Sequence, residues 1–179
     1  MAKLTFLGAV GEVTGSRYLI ETDKANLLLE CGLHQGGAQA DRANQASLVK
    51  LARRVDAVIL SHGHLDHSGL VPKLVRDGYR GPIYCTPGTL DLLKIMWKDA
   101  AFVMSKDIEW ENKWRRRADK RLLDPIYEEE DVDRALGLCE PVPYQRLEQI
   151  AGHVGLMYHD AGHILGSAIV ELTVPSGGR

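Results

Sequence analysis

The chain has 179 residues, of which 45% are hydrophobic and 26% charged, an ordinary globular composition for one domain with a sizeable core. A formal net charge of −2 gives no global electrostatic case for a nucleic acid over a small substrate, so any RNA contact must be a local patch. Cys31, Cys85 and Cys139 are odd in number, far apart and without C-x-x-C spacing, which argues against a disulfide framework and for a reducing, cytoplasmic setting.

Residues 4–7 read as a first strand that runs directly from the N-terminus, with no signal-peptide pattern, and no apolar stretch approaches a membrane span. Gly8, Gly11 and Gly15 follow in a loop that permits unusual backbone angles but lacks the Gly-Lys-Ser/Thr of a phosphate-binding loop. Residues 18–20 and 26–30 read as a hairpin across Asp23-Lys24, with Glu30 ending its second strand. Cys31 is read as a small buried hydrophobe, and His34, in the next glycine-rich loop, as a solvent-exposed imidazole. Residues 44–51 have the spacing of a short helix, and 57–60 are a β-branched, apolar run that predicts a buried strand.

That strand delivers Ser61-His62-Gly63-His64-Leu65-Asp66-His67-Ser68 into a loop. Three imidazoles and a carboxylate within six residues cannot share one regular face, and they are donors that suit zinc and similar divalent ions. His62 and His64 can point the same way from an extended segment and hold one metal, while Asp66 and His67 turn toward a second position beside it. Two adjacent ions of this kind clamp the attacking and leaving oxygens of a hydrolysis.

Beyond the loop, residues 68–78 read as a helix with Ser68 as its N-cap, Pro72 in its first turn and Gly78 ending it. A strand at 81–85 precedes a longer helix opened by Thr86-Pro87-Gly88-Thr89, with Leu90, Leu93, Met96, Trp97, Ala100 and Met104 in the core. From Lys106 to Arg121 the character changes to Trp110 and Trp114 among Lys113, Arg115, Arg116, Arg117, Lys120 and Arg121. Two readings stand: a basic arm that meets RNA phosphates, and, favoured, a solvated helix whose tryptophans dock onto the body. Asp124-Pro125 breaks that element, residues 128–131 place negative charge ahead of a helix at 132–138, and 141–144, 146–150 and 154–158 read as short strands of a second sheet. A histidine between glycines, Gly162-His163-Ile164-Leu165-Gly166-Ser167-Ala168, then precedes a strand at 169–174. His153 and His159 default to structural or surface roles.

The string His62-x-His64-x-Asp66-His67 resembles the signature of the metallo-β-lactamase superfamily. With Leu29-Glu30-Cys31-Gly32, Gly11-Glu12-Val13-Thr14-Gly15-Ser16 and the His163 segment, the chain is similar to the β-CASP RNA-processing branch in particular. The resemblance implies an α/β fold, the αββα sandwich, of which residues 1–179 supply an N-terminal part that stops before the bridging-Asp motif and the β-CASP cap domain. It implies that His62, His64 and His163 hold one Zn2+, that Asp66 and His67 contribute to a second, and that Asp66 also orients the attacking water. Two ions are expected in an intact family member and one or none in this piece. Glu30 stands where the family usually writes Asp, supporting the metal loop without ligating. The implied activity is RNA phosphodiester hydrolysis by a metal-activated hydroxide, with RNA as partner and no membrane; the oligomeric state stays open, a homodimer included. The alternatives are a hydrolase of a small ester, thioester or lactam, and a non-catalytic fragment or scaffold.

Overall fold

The structure is a computed structural model and describes residues 2–175, so the stretch from Ser176, where the sequence is read as stopping short of the bridging-Asp motif, lies outside the described residues. Six strands form one sheet in chain order: β1 (Lys3–Gly8), β2 (Arg17–Glu21), β3 (Asn26–Leu29), β4 (Ala57–Ile59), β5 (Ile83–Cys85) and β6 (Cys139–Pro141). The first three are antiparallel, as a hairpin demands, and β3 through β6 run parallel. Leu28 pairs Val58 and Leu29 pairs Ile59, so the C-terminal ends of β3 and β4 lie side by side. That register brings Glu30 and the histidine loop to the same end of the sheet, where parallel sheets commonly place their sites.

Alternation along the central strands builds two cores, because both faces of a parallel sheet are covered. Leu28, Val58 and Ile83 pack with Leu74, Trp97 and Val132 of the helices α4 (Val71–Arg76), α5 (Pro87–Arg117) and α6 (Glu129–Leu136). Leu27, Ala57 and Ile59 face Leu156, Tyr158 and Ala168 of a second, antiparallel sheet made of β7 (Glu148–Gln149), β8 (Gly155–Asp160) and β9 (Ala168–Thr173). Helices on sheet on sheet give three of the four layers of an αββα sandwich. On the outer face of the second sheet, Ile169 and Glu171 are exposed, and among the described residues no helix covers them. No helix of the described residues is long and apolar enough to cross a membrane.

Several element boundaries differ from the sequence reading. The helix expected at 44–51 is two pieces, α1 (Gly37–Gln45) and α2 (Val49–Ala52), because the chain becomes extended at Ala46. The expected 68–78 helix is also split, into α3 (Leu65–Ser68) and α4; Ser68 closes α3 instead of capping α4, and its hydroxyl is turned back to carbonyls of the metal loop. In place of the strand expected at 141–144 in the second sheet, β6 occupies 139–141 and joins the first sheet beside β5. The acidic run lies in the first turn of α6, which begins at Glu129, with Glu128 and Asp131 forming a reciprocal cap. Helix α5 ends at Arg117, ahead of Asp124-Pro125, because Asp119 takes a left-handed φ of 51°. The two tryptophans of its far half do not dock on the body: Trp110 is 64% and Trp114 54% exposed.

Candidate metal centre

Backbone pairing sets the loop that carries the histidines. The Cys31 N–H donates to the His67 carbonyl at 2.7 Å, Leu33 N–H to Leu65 at 2.8 Å, and Ser16 N–H to Asp66 at 2.9 Å. Gly32 is required at this seam, since a Cβ there would sit 1.7 Å from the Asp66 carbonyl oxygen. From below, the buried Ser68 hydroxyl reaches the carbonyls of Gly63 (3.2 Å) and His64 (3.1 Å) and accepts the indole N–H of Trp97 at 3.2 Å.

His62, His64 and His163 converge from two segments 99 residues apart, and one ring nitrogen from each lies within 4.8 Å of the others. His163 Nε2 and His64 Nδ1 are 3.3 Å apart. That separation matches an edge of a tetrahedral zinc site, about 3.3–3.4 Å for bonds of about 2.0–2.1 Å. The Ser61 hydroxyl is 2.8 Å from His62 Nδ1, which leaves Nε2 as the free donor. The His163 loop is fixed in turn. Ser167 Oγ accepts the N–H groups of His163 and Ile164, and the Gly166 carbonyl accepts the hydroxyls of Thr86 (2.6 Å) and Thr89 (2.9 Å) at the start of α5.

Asp66 and His67 stand beside this trio rather than within it. The His67 ring lies 4.2 Å from that of His62, its Nε2 is 3.6 Å from Asp66 Oδ2, and its Nδ1 is 3.7 Å from Glu30 Oε2. Glu30 is 3% exposed, and its other oxygen accepts the Ser61 N–H at 2.9 Å. The carboxylate that ends β3 thus faces the metal loop from behind. The facing atoms Glu30 Oε2 and His67 Nδ1 are buried with no hydrogen-bond partner at hand.

Burial, reinforced by the neighbouring imidazoles of His67, His64 and His163, pushes the His62 pKa down to about 4, so at neutral pH its lone pair is free for a metal. Burial also opposes charge on His67, but the Glu30 carboxylate outweighs it and holds that imidazole above its ordinary value. The signs of these two shifts differ. Unfolding lets His62 take up a proton at its ordinary pKa of about 6.5, so its contribution to stability is complete above that pH and is lost as pH falls toward about 4. The His67 contribution is complete below about pH 6.5 and fades as pH rises through its raised value. In chelator, the urea midpoint is expected to fall between pH 6.5 and 4.5 more steeply for the wild type than for His62→Gln. Equal slopes would remove His62 as the cause.

Among the sequence-predicted site residues, the structure brings His62, His64 and His163 together and sets Asp66, His67 and Glu30 against one another next to them. Ser61, Thr86, Thr89 and Ser167, which fix His62 and the His163 loop, are not singled out as site residues by the sequence; a hydroxyl residue abutting each histidine or glycine turn is the signal that marks them. His34 is not the solvent-exposed imidazole expected. Its side chain is 13% exposed, 3.4 Å from Arg17 Nη2 and 3.6 Å from Glu12, because Gly15 lets the ring lie flat on the chain. The thiols are free, and burial pushes that of Cys31 up to about 11, which suits a core residue and not a ligand.

A trio of imidazoles at the ends of a sheet in a layered α/β sandwich defines a candidate metalloprotein. The family model described as the metallo-beta-lactamase superfamily matches residues 10–144, and the chain belongs to that superfamily. A ribonuclease of Thermus thermophilus is 39% identical over 163 residues, covering 91% of this chain and 33% of its own length. The transcription termination factor FttA of Methanosarcina mazei is 34% identical over 180 residues, covering 98% of this chain and 25% of its own. The chain therefore spans a quarter to a third of the length of these curated relatives. Among solved structures, a B3 metallo-beta-lactamase with an active-site glutamic acid superposes with a TM-score of 0.56 at 16% identity, over 98% of this chain and 56% of the other. The metallo-beta-lactamase fold protein YhfI of Bacillus subtilis gives 0.53 at 19% identity, over 96% and 57%. These two bear on the fold alone.

Proposed function

We propose that the chain is the N-terminal part of a zinc-dependent hydrolase of the β-CASP type that cleaves RNA phosphodiester bonds. The observation that carries this reading is the convergence of His62, His64 and His163, three imidazoles with a ring nitrogen each within 4.8 Å of the others and backed by hydroxyl partners. The relative named a ribonuclease, 39% identical over 91% of this chain, supports the choice of RNA. Zinc held by His62, His64 and His163 would supply Lewis acidity at that point.

The remaining roles belong to the chain. His62 presents Nε2 because Ser61 engages Nδ1, and His163 is aimed by Ser167. Asp66, partly exposed at the mouth of the centre, orients the attacking water and takes up its proton. Glu30 aligns His67 and, through the Ser61 N–H, the start of the ligand loop, so that His67 and Asp66 serve a second ion.

The test is cleavage of a labelled single-stranded oligoribonucleotide, beside a thioester and a β-lactam, by the zinc-loaded protein that carries this chain. Strand scission that disappears in Asp66→Asn is expected. Turnover of the thioester or lactam with intact RNA would contradict the reading.

A further inference from the structure

The far end of α5 plays no part in the metal centre. The helix runs for 31 residues, roughly 46 Å at about 1.5 Å per residue, and beyond Ala101 none of its residues is buried. This end is nevertheless well built. Lys120 N–H donates to the Arg115 carbonyl at 2.9 Å across the left-handed Asp119, and the Asn112 side chain holds the Leu123 backbone by both its N–H and its carbonyl, at 2.9 Å each. On it the rings of Trp110 and Trp114 sit 6.1 Å apart, both mostly exposed, with the Arg117 guanidinium 5.2 Å from the Trp114 ring. Between 113 and 121 the sequence places six cations and one carboxylate, in a chain whose net charge is −2. Two concavities open there. One, of about 240 Å³, is lined by Trp114, Arg115 and Lys120, with Glu111 and Ala118. The other, of about 530 Å³, takes Lys73, Arg76, Arg115 and Arg121 against the single carboxylate of Asp124.

We propose that this end of α5 is a docking site for single-stranded RNA, with Trp110 and Trp114 stacking on bases and the surrounding cations taking phosphates. Exposed indoles interleaved with positive charge are what sequence-tolerant binding of single strands uses, since every base has a π-face and every linkage a charge. A protein partner is the competing occupant, since tryptophan and arginine also serve protein interfaces; a polyanion is favoured by the local charge, six cations against one carboxylate between 113 and 121, with Arg117, Arg115 and Lys120 beside the Trp114 ring. The choice of RNA over another polyanion rests on the hydrolase reading above. Thr86, which caps the start of α5, is tied to the His163 loop, so the indoles lie some 35–40 Å along the helix from the metal centre, at about 1.5 Å per residue. At that distance they anchor a strand and touch no reacting atom.

The test is binding without cleavage. The intact chain in chelator is titrated with a labelled oligouridylate, read by anisotropy and indole emission, against the variants Trp110→Ala/Trp114→Ala and Lys113→Glu/Arg116→Glu/Arg117→Glu. Arg115 is left in place because its guanidinium holds Glu111 and the Arg121 carbonyl. Expected are quenched emission in the wild type, about tenfold or greater weakening in the tryptophan variant, and in the charge variant a salt slope shallower by about 0.7 per lost phosphate. Unchanged helix content shows that the variants fold. Absence of wild-type binding, equal binding by the tryptophan variant, equal affinity for duplex RNA, or self-association abolished by the tryptophan changes would each overturn the proposal, the last by making the face a protein interface. A loss of the hydrolase reading is distinct: it leaves RNA bound here and uncut.

Discussion

Gly32→Ala is expected to dismantle the metal loop and cost at least about 3 kcal/mol of stability. The added methyl would lie 1.7 Å from the Asp66 carbonyl oxygen and 2.8 Å from the His67 N–H nitrogen, both backbone atoms that cannot rotate away. Relief requires parting the seam that joins residues 31–33 to α3, which breaks the Cys31 to His67 and Leu33 to Leu65 hydrogen bonds and displaces the ends of the ligand string. The control is Gly63→Ala, between His62 and His64. There the nearest atom to a Cβ is Leu92 Cβ at 3.4 Å, an ordinary contact, so stability is expected to stay within about 0.5 kcal/mol. Denaturant midpoints in chelator measure both. Parity between the two variants would mean that the seam is looser than the geometry shows.

Trp97→Ala is expected to cost about 3–5 kcal/mol, because the indole is wholly buried in the helix-side core and leaves a cavity lined by α5 and its neighbours. The effect also reaches the centre. The Trp97 N–H donates to Ser68 Oγ, which in turn holds the carbonyls of Gly63 and His64. Trp97→Phe keeps most of the burial and removes the donor, so it separates the two contributions: a smaller loss of stability, about 1–3 kcal/mol, with a measurable weakening of metal uptake. A phenylalanine variant as tight for metal as the wild type would confine Trp97 to the core.

The parts of this architecture that local chemistry dictates were legible in the sequence. A β-branched run followed by an H-x-H-x-D-H string can only be a strand end that opens into a loop, and β4 with its histidines is that. Thr86 before Pro87 marked the start of α5, and its hydroxyl does accept the Thr89 N–H. What escaped depends on partners distant in sequence. Ser68 carries an N-cap signal, but the carbonyls of Gly63 and His64 and the Trp97 indole draw its hydroxyl away. Residues 141–144 read as part of the second sheet because nothing local reveals that the strand lies at Cys139–Pro141 and pairs with Ile83–Cys85. The amphipathic logic that docks Trp110 and Trp114 onto the body fails because α5 outruns the domain it packs on, leaving its last turns without a surface to bury.

The same dependence on distant residues makes His163 the least local member of the trio, since its loop is placed by the Ser167, Thr86 and Thr89 contacts and by the Ala168 N–H donated to the Ser61 carbonyl. Zinc per chain, by elemental analysis of protein purified without chelator, therefore tests the central claim most directly, with the His62→Ala/His64→Ala variant measured alongside. About one zinc in the wild type and none in the variant is the expected result, because a preformed trio of imidazoles needs no further folding to bind. No zinc in the wild type even after a modest excess is supplied, or equal zinc in both proteins, would contradict the assignment of His62, His64 and His163 as a metal centre.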